Sequence, residues 1–396
     1  MDRKKIIICA DVGFPKGDPG SNRIEFVGKA LQNAGFEVCI LSHGKVNGET
    51  CDENGFAEFN GIKYWNMPTS ENSIKRKMEI KIGGSKKLLA KLSEMKIKED
   101  DIVYVYGNNA FFVAPILSYC KKHEIANCID VVEWHQPYQY KGGVFSIRYH
   151  SMNYTFTRLA KKFDYLIAIS NCIKEYYEEH HKSILVLPPL TEIKIKKREE
   201  KEEQSIIQLI YPGNPITKEN IKVMLEALGA LEEWQRKRLV FNITGIKEQQ
   251  LRQYLGHDQI ILDNVKDTVI FHGFMEYSDL AELYDSVDYL FFSRYDNLVN
   301  KANFPSKIPE LMAKGIVPIG NKVGDYYLYL KDGTNAILFE KDDVKDCANA
   351  LKRVVNNGDS LLEMKNACIN CAKNNFDYAN WADKLHVFFV GETSEK

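Results

Sequence analysis

Asn303-Phe-Pro-Ser-Lys307-Ile-Pro-Glu310-Leu-Met-Ala-Lys-Gly315-Ile-Val-Pro-Ile-Gly320 reads as a helix running straight into a strand. A helix that starts near Ser306 keeps Pro309 within its first turn, where a missing N–H costs nothing. Gly315 ends the helix and Val317 opens the strand. The helix N-terminus offers unpaired N–H donors, and Lys307 adds a positive charge beside them. By electrostatics alone this is a site for a diphosphate. Glu310, one turn further in, is placed to accept hydrogen bonds from ribose hydroxyls.

The same grammar extends in both directions. Short β-rich runs at 6–10, 37–42, 102–106, 126–132, 165–169 and 184–187 alternate with helical runs in the first half. Runs at 206–211, 239–244, 268–271, 289–292, 317–319 and 336–339 alternate with helices starting near Glu219, Glu248, Ser278, Ser306 and Asp343. Such alternation predicts α/β layers with parallel sheets. The first helix carries Ser21 as its expected N-cap, Ile24, Val27, Leu31 and Ala34 on one face, and Gly35 as its stop. Residues 192–203 hold ten charged side chains of twelve with no net charge, so they are expected to be an exposed connector. A last helix, 378–390, presents Trp381, Leu385, Phe388 and Phe389 on one side and needs a groove to lie in.

The 396 residues are 44% hydrophobic and 27% charged, which excludes disorder and fibrous folds and predicts two domains. Fifty-three Lys and Arg balance 54 Asp and Glu, so no global field marks a nucleic-acid binder. The apolar run before Asp11 is too short for a signal-peptide core, and no run reaches ~20 apolar residues, so the expectation is a cytoplasmic protein. Nine scattered cysteines form neither a disulfide framework nor a metal spacing; Cys368 and Cys371 are expected to pack on a helix face.

Open parallel sheets bind ligands at the carboxyl ends of their strands, so two Rossmann-like domains imply a cleft. The loop from Asp11 to Ser21 carries Gly13, Gly17 and Gly20, which let backbone approach an anion at the helix start. Neither a dinucleotide fingerprint nor a P-loop is present.

Taken together, several segments resemble the retaining GT-B glycosyltransferases of family 4, in the branch that builds bacterial polysaccharides. They are Tyr211-Pro-Gly213-Asn-Pro-Ile-Thr-Lys218, Phe271-His-Gly273-Phe, the run from Ser278 to Asp288, the Pro305…Glu310…Gly315 block and Asp332-Gly-Thr-Asn335. In the first half, Asp130-Val-Val-Glu133-Trp-His135 and Ile167-Ala-Ile-Ser170-Asn resemble cleft segments of that branch. The resemblance covers nearly the whole chain. It implies a first, acceptor-binding domain at 1–190 that includes the returning helix 376–396, a charged linker at 191–205, and a second, nucleotide-sugar-binding domain at 206–375. It also implies a UDP- or GDP-linked sugar as donor, no metal and no cofactor.

Carried over residue by residue, Glu310 resembles the second Glu of the E-x7-E motif that holds the donor ribose. Lys218 resembles the diphosphate lysine, with Gly213 and Asn214 in the same loop, and Gly273 lies in the turn that receives the base. Two positions depart from the pattern. Ala302 stands where the first Glu belongs, with Asn300 and Asn303 as the nearest polar substitutes, and Asn214 replaces an Arg. Lys307 can supply the second positive charge as a point charge rather than a fork.

Breaking a glycosyl–diphosphate bond builds negative charge on the leaving group, so Lys218, Lys307 and helix N-termini fit the catalytic role. Glu133 and His135 follow a strand and are candidates to orient sugar or acceptor, on one side if the strand continues, with Trp134 opposite. His180 and His181 read as surface residues at a helix end. The stretch 74–98 holds nine Lys and Arg interleaved with Ile80, Ile82, Leu88, Leu89 and Leu92, a pattern suited to an anionic membrane. The rival reading, supported by Ala302 and Asn214, is a glycosyltransferase-like partner subunit without activity of its own.

Overall fold

The computed structural model describes residues 3–15, 18–43, 51–68, 70, 75, 84–193, 206–356 and 361–391. The connector from residue 194 to 205, Gly17, and most of 74–83 therefore lie outside the described residues. The chain divides into two compact units, Met1–Leu190 with Tyr378–Lys396, and Thr191–Asp377.

The first unit is built on an eight-stranded sheet: β1 (Lys5–Ala10), β2 (Glu37–Ser42), β3 (Ala57–Phe59), β4 (Ile62–Asn66), β5 (Ile102–Tyr106), β6 (Ala126–Val131), β7 (Tyr165–Ala168) and β8 (Ile184–Val186). Its order is β3-β4-β2-β1-β5-β6-β7-β8, and every pair is parallel except β3–β4. Ile6, Ile7 and Ile8 are wholly buried because β1 lies between β2 and β5 with layers on both faces, which is why it reads as an unbroken apolar run. The chain leaves β1 for β2 on one side and reaches β5 on the other. The topological switch point, where such sheets open a crevice at the strand ends, lies between β1 and β5.

Strands β3 and β4 form a hairpin that the sequence reading passes over. Its turn is Asn60-Gly61, both at positive φ (49° and 82°), the pairing that closes two-residue hairpins. The first helix is Pro19–Asn33, and its N-cap is Asp18 rather than Ser21. The Asp18 carboxylate accepts from Ser21 N at 2.9 Å, and Pro19 occupies the position where no N–H is needed. Gly35 closes the helix at φ 94°, as the pattern requires.

At the other end of the chain, a 3-10 turn, Tyr378–Trp381, leads into the helix Ala382–Val390. Trp381, Leu385 and Phe389 bury themselves in the core of the first unit with Ile24, Val27 and Leu31, and Phe388 packs edge-on against Tyr165. His386 Nδ1 bonds the carbonyl of Ala34 at 2.9 Å. The apolar helix has its groove.

The second unit carries six parallel strands: β9 (Ile207–Tyr211), β10 (Leu239–Thr244), β11 (Val269–Gly273), β12 (Tyr289–Phe291), β13 (Val317–Asn321) and β14 (Ile337–Phe339). The order β11-β10-β9-β12-β13-β14 is the doubly wound 3-2-1-4-5-6, with its switch point between β9 and β12. The helix Lys307–Ala313 sits before β13, one residue later than the expected start. Cys368 and Cys371 pack on the helix Leu361–Asn375, where they donate to the carbonyls of Asn335 and Tyr329. No helix among the described residues is long and apolar enough to cross a membrane.

Candidate functional site

In the second unit, the loops leaving β9, β10 and β11 converge. Gly245 N donates to Gly273 O at 2.6 Å, and Gly213 N donates to Thr244 Oγ1 at 3.1 Å. A Cβ on Gly245 would lie 2.7 Å from the Gly213 Cα, so only glycine allows the first two loops to approach this closely. Lys307 reaches over the β9 loop. Its Nζ lies 4.3 Å from the centre of the Tyr211 ring and 3.3 Å from the Tyr211 hydroxyl. Burial pushes the Lys307 ammonium down to about 8, against the pull of Glu219 and Glu310. Lys218 is close enough for its charge to be felt at Lys307, and its carbonyl accepts from Asn300 Nδ2 at 2.8 Å.

Glu310 lies one turn along the same helix as Lys307. Burial raises its carboxyl, with Lys314 and Lys307 drawing it back down. No hydrogen bond reaches that carboxylate among the described residues. Pro309 falls in the first turn as expected. Ser306 is the N-cap, yet it has helical backbone angles and makes no side-chain capping bond. At the helix start Ile308 N donates to Pro305 O at 3.1 Å and Pro309 has no N–H, so two charged side chains of opposite sign set its character.

Two of the expected donor residues make hydrogen bonds within the protein. The Asn214 side chain accepts from Ile216 N at 3.0 Å and shapes its own loop. Asn303 is buried, and its Oδ1 accepts from Arg294 Nη2 at 3.1 Å. Arg294 also donates to Asn300 Oδ1 at 2.7 Å and stands 3.8 Å from Glu219 through Nε. Its Nε and Nη1 are buried without hydrogen-bond partners. Ala302, in the place of the first motif Glu, is fully buried. Arg294 carries no motif in the sequence, and nothing in the sequence gives Tyr211 or Glu219 a site role. The only signal was position: Arg294 stands directly after the apolar run ending at Ser293, and Tyr211 ends its strand beside the switch point.

In the first unit the site residues gather at the end of β6 and the switch point. β6 ends at Val131, so Glu133, Trp134 and His135 lie in a loop and their alternation no longer holds. Trp134 packs against both Phe156 and Tyr176. His135 is buried: its Nε2 meets Asn108 Nδ2 at 2.6 Å, and its Nδ1 meets the Tyr140 hydroxyl at 2.6 Å. Tyr140 donates onward to Met152 Sδ at 2.7 Å. An amide nitrogen only donates, so this network assigns the proton to Nδ1 and leaves Nε2 accepting. Glu133 Oε2 lies 3.7 Å from Nε2. Burial pushes the Tyr140 hydroxyl up to about 12.

A pocket opens beside this imidazole, lined among others by Asn108, Asp130, Glu133, His135, Met152 and Phe156. Its floor is fixed by a buried ion pair. Arg23 Nε and Nη2 grip the Asp130 carboxylate at 2.8 and 2.9 Å, and Tyr104 donates to the same carboxylate at 2.7 Å. Asp11, at the switch point, has a carboxyl that burial raises to about 7. Gly20 lies in the first turn of the first helix, where a Cβ would meet Val12 at 2.9 Å, and it belongs to the first unit.

Three further expectations are corrected or bounded. His181 is not a surface residue: it is buried and bonds Ala160 O at 2.8 Å through Nε2. Leu88 and Leu92, in the described part of 74–98, face the core of the first unit, so they offer nothing to a membrane. Among the described residues no three His, Cys, Asp or Glu side chains gather as metal ligands.

Residues 191–375 match the family model "Glycosyl transferases group 1". No curated protein matches the chain. Among solved structures, a sucrose-phosphate synthase from Thermosynechococcus elongatus superposes with a TM-score of 0.69 at 16% identity, covering 96% of this chain and 97% of that one. A glycosyltransferase from Rickettsia africae gives 0.66 at 14% identity over 98% and 100%. The pneumococcal O-GlcNAc transferase GtfA, solved with UDP and GlcNAc, gives 0.64 at 12% identity over 98% of each chain. At such identities the likeness is one of fold. The fold is GT-B: two Rossmann-like domains, with the C-terminal helix packed on the first.

Proposed function

We propose that this chain is a retaining glycosyltransferase of family 4, a hexosyltransferase that moves a sugar from a UDP- or GDP-linked donor to a glycan or lipid-linked acceptor in cell-surface polysaccharide synthesis. It works in the cytoplasm with neither metal nor cofactor. One observation carries the reading: the second unit, matched to the group 1 glycosyl transferases, holds Lys307 over the Gly213 loop and Glu310 one helical turn away. That pair suits the two ends of a nucleoside diphosphate, cation to phosphate and carboxylate to ribose hydroxyls.

In the reaction the bond between the sugar C1 and the diphosphate oxygen breaks, and its electron pair leaves with the oxygen. Lys307 and Lys218 stabilise that growing negative charge. The acceptor hydroxyl oxygen bonds to C1 on the face the diphosphate leaves, and its proton passes to the departing phosphate oxygen. Glu133 orients sugar or acceptor hydroxyls, and His135 lines the same pocket, where its Nε2 reaches a hydroxyl by exchanging the bond from Asn108 for one from the substrate. Gly213 and Gly273 give the nucleotide backbone to approach, and Lys307, just after Ser306, meets the phosphates.

The test is a mass-spectrometric screen of UDP- and GDP-sugars for slow hydrolysis, with calorimetry of UDP and GDP binding. Turnover of one donor with micromolar binding of its diphosphate supports the reading. A second reading, a silent partner subunit, draws on Ala302 and on the inward turn of Asn303. It predicts neither binding nor turnover of any donor. Peripheral contact with an anionic membrane through 74–98 would draw on its lysines, Lys86 and Lys87 being exposed in the described part.

A further inference from the structure

Four side chains of the second unit form one chain of contacts that ends at Lys307. Its Nζ donates to the Tyr211 hydroxyl at 3.3 Å, and that hydroxyl is hydrogen-bonded to the Glu219 carboxylate. Glu219 Oε1 lies 3.8 Å from Arg294 Nε. Tyr211, Glu219 and Arg294 are all buried. An ammonium only donates, so Tyr211 accepts from Lys307 and gives its own proton to Glu219. Burial, then Glu219, hold the Tyr211 hydroxyl well above its ordinary value, so it keeps that proton through the neutral range.

The backbone fixes each link. Tyr211 ends β9, and Glu219 and Arg294 face each other in an antiparallel bridge at the switch point between β9 and β12. Beside that bridge Asn220 N donates to Ser293 O at 2.6 Å. Asp342 ties the two sides together, accepting from Asn220 Nδ2 at 3.0 Å and from Ser293 Oγ at 2.6 Å. The Asn321 side chain clamps Arg294, accepting from its N at 2.8 Å and donating to its O at 2.7 Å. Four charges face Lys307: Glu219 and Glu310 favour the ammonium, while Arg294 and Lys218 disfavour it. Burial outweighs them all and leaves the ammonium at about 8, and among the four charges Glu219 acts most strongly.

We infer that Glu219 is a positioning residue for the donor diphosphate: through the Tyr211 hydroxyl it holds the Lys307 ammonium over the Gly213 loop, and Arg294 opposes it. The role toward the diphosphate rests on the proposed function; the link between Glu219 and the Lys307 charge does not. That link is tested without nucleotide, by trace acetylation of the full chain with acetic anhydride at a series of pH values and mass spectrometry of the peptide holding Lys307. Only the neutral amine reacts, so the midpoint of labelling reports its proton. Glu219→Gln should move the midpoint to lower pH by about one unit, and Tyr211→Phe the same way by at least about half a unit. Arg294→Met should move it to higher pH, and Glu219→Asp should keep most of the wild-type value. Glu219→Gln strands a buried guanidinium; Tyr211→Phe leaves the ion pair intact and carries the test if the first variant fails to fold.

Calorimetry with UDP and GDP reads the consequence. At pH 8 the wild-type ammonium is about half charged, so a midpoint one unit lower should cost about fivefold in affinity there. The difference should close toward pH 6, where the ammonium is charged in both proteins, whereas a purely structural loss would be equal at the two pH values. Three results overturn the inference: unshifted midpoints in the folded variants of Glu219 and Tyr211, an Arg294→Met midpoint that moves the same way as theirs, or an affinity loss equal at pH 6 and pH 8. Midpoints that shift as stated while the wild type binds neither UDP nor GDP would instead overturn the donor reading and leave the link from Glu219 to Lys307 standing.

Discussion

The Lys307 Nζ lies 2.6 Å from the point that a Cβ on Gly213 would occupy. The ammonium therefore stands directly over a backbone that carries no side chain, and Gly213 has φ 120°, a conformation L residues rarely adopt. Gly213→Ala should both push Lys307 aside and strain the loop, at about 1–3 kcal/mol for the backbone alone. Urea denaturation should show that loss, and calorimetry should show nucleoside diphosphate affinity down by at least about tenfold, equivalent to about 1.4 kcal/mol. Unchanged affinity in the folded variant would detach the Gly213 loop from the donor site.

Lys307 sets a pH dependence. Burial lowers its ammonium to about 8, so the cation is present below that pH and is lost above it. A bound diphosphate favours the protonated form. Affinity should fall as pH rises from 7 to 9, and binding at pH 8.5 should take up protons, read from calorimetry in buffers of different ionisation enthalpy. Lys307→Met should abolish the uptake and lower turnover more than affinity, because the charge acts on the leaving group. A flat pH profile in the wild type would refute the assignment.

Glu310 carries the opposite sign. Its carboxyl is raised by burial, so ionising it near neutral pH costs the empty protein stability. Glu310→Gln keeps the shape and removes that cost, so stability at pH 7 should hold or rise slightly. Donor affinity should drop at least about tenfold, since charge-assisted bonds to ribose hydroxyls are worth ~1.5–3 kcal/mol each. Equal binding by the folded variant would move the ribose site elsewhere and favour the partner-subunit reading.

His135 should behave differently from these three. It belongs to the first unit, and its Nε2 receives a hydrogen bond from Asn108 at 2.6 Å. His135→Ala should leave nucleoside diphosphate binding by calorimetry unchanged and lower transfer to the acceptor. A parallel loss of diphosphate affinity would assign the imidazole to the donor instead.

The strands that sequence made legible are those buried on both faces, where apolar runs such as 6–10 and 289–292 are unbroken. The β3–β4 hairpin was not, because runs of three and five residues are too short to establish a period and the turn signal is confined to Asn60-Gly61. In the site, Lys307 and Glu310 were legible because a helix spacing of three residues fixes their relation before any tertiary contact exists. Glu133 and His135 were found, but not their geometry, since alternation ceases when β6 ends at Val131. Arg294 was invisible for a physical reason. Asn300 and Asn303 lie six and nine residues on with no periodic spacing, and Glu219 joins them only when β9 and β12 become neighbours.

Arg294 also yields the most demanding prediction. The residue is 1% exposed, its Nη2 holds two asparagines, and its nearest carboxylate is the buried Glu219. Removing one member of such a pair strands the other, at about 3–5 kcal/mol, whereas replacing both with apolar or neutral groups is often close to neutral. Arg294→Met should therefore destabilise the second unit by about that amount, read from the urea transition that reports on Trp234. Arg294→Met with Glu219→Gln should recover most of it, because Nε and Nη1 have no hydrogen bonds to forfeit. Recovered stability should not restore diphosphate binding, since Asn300 and Asn303 would still lack the guanidinium that holds the turn before Lys307. A single variant as stable as the wild type would mean that Glu219 does not depend on Arg294. A double variant no better than the single would place the energy in the asparagine contacts rather than in the ion pair.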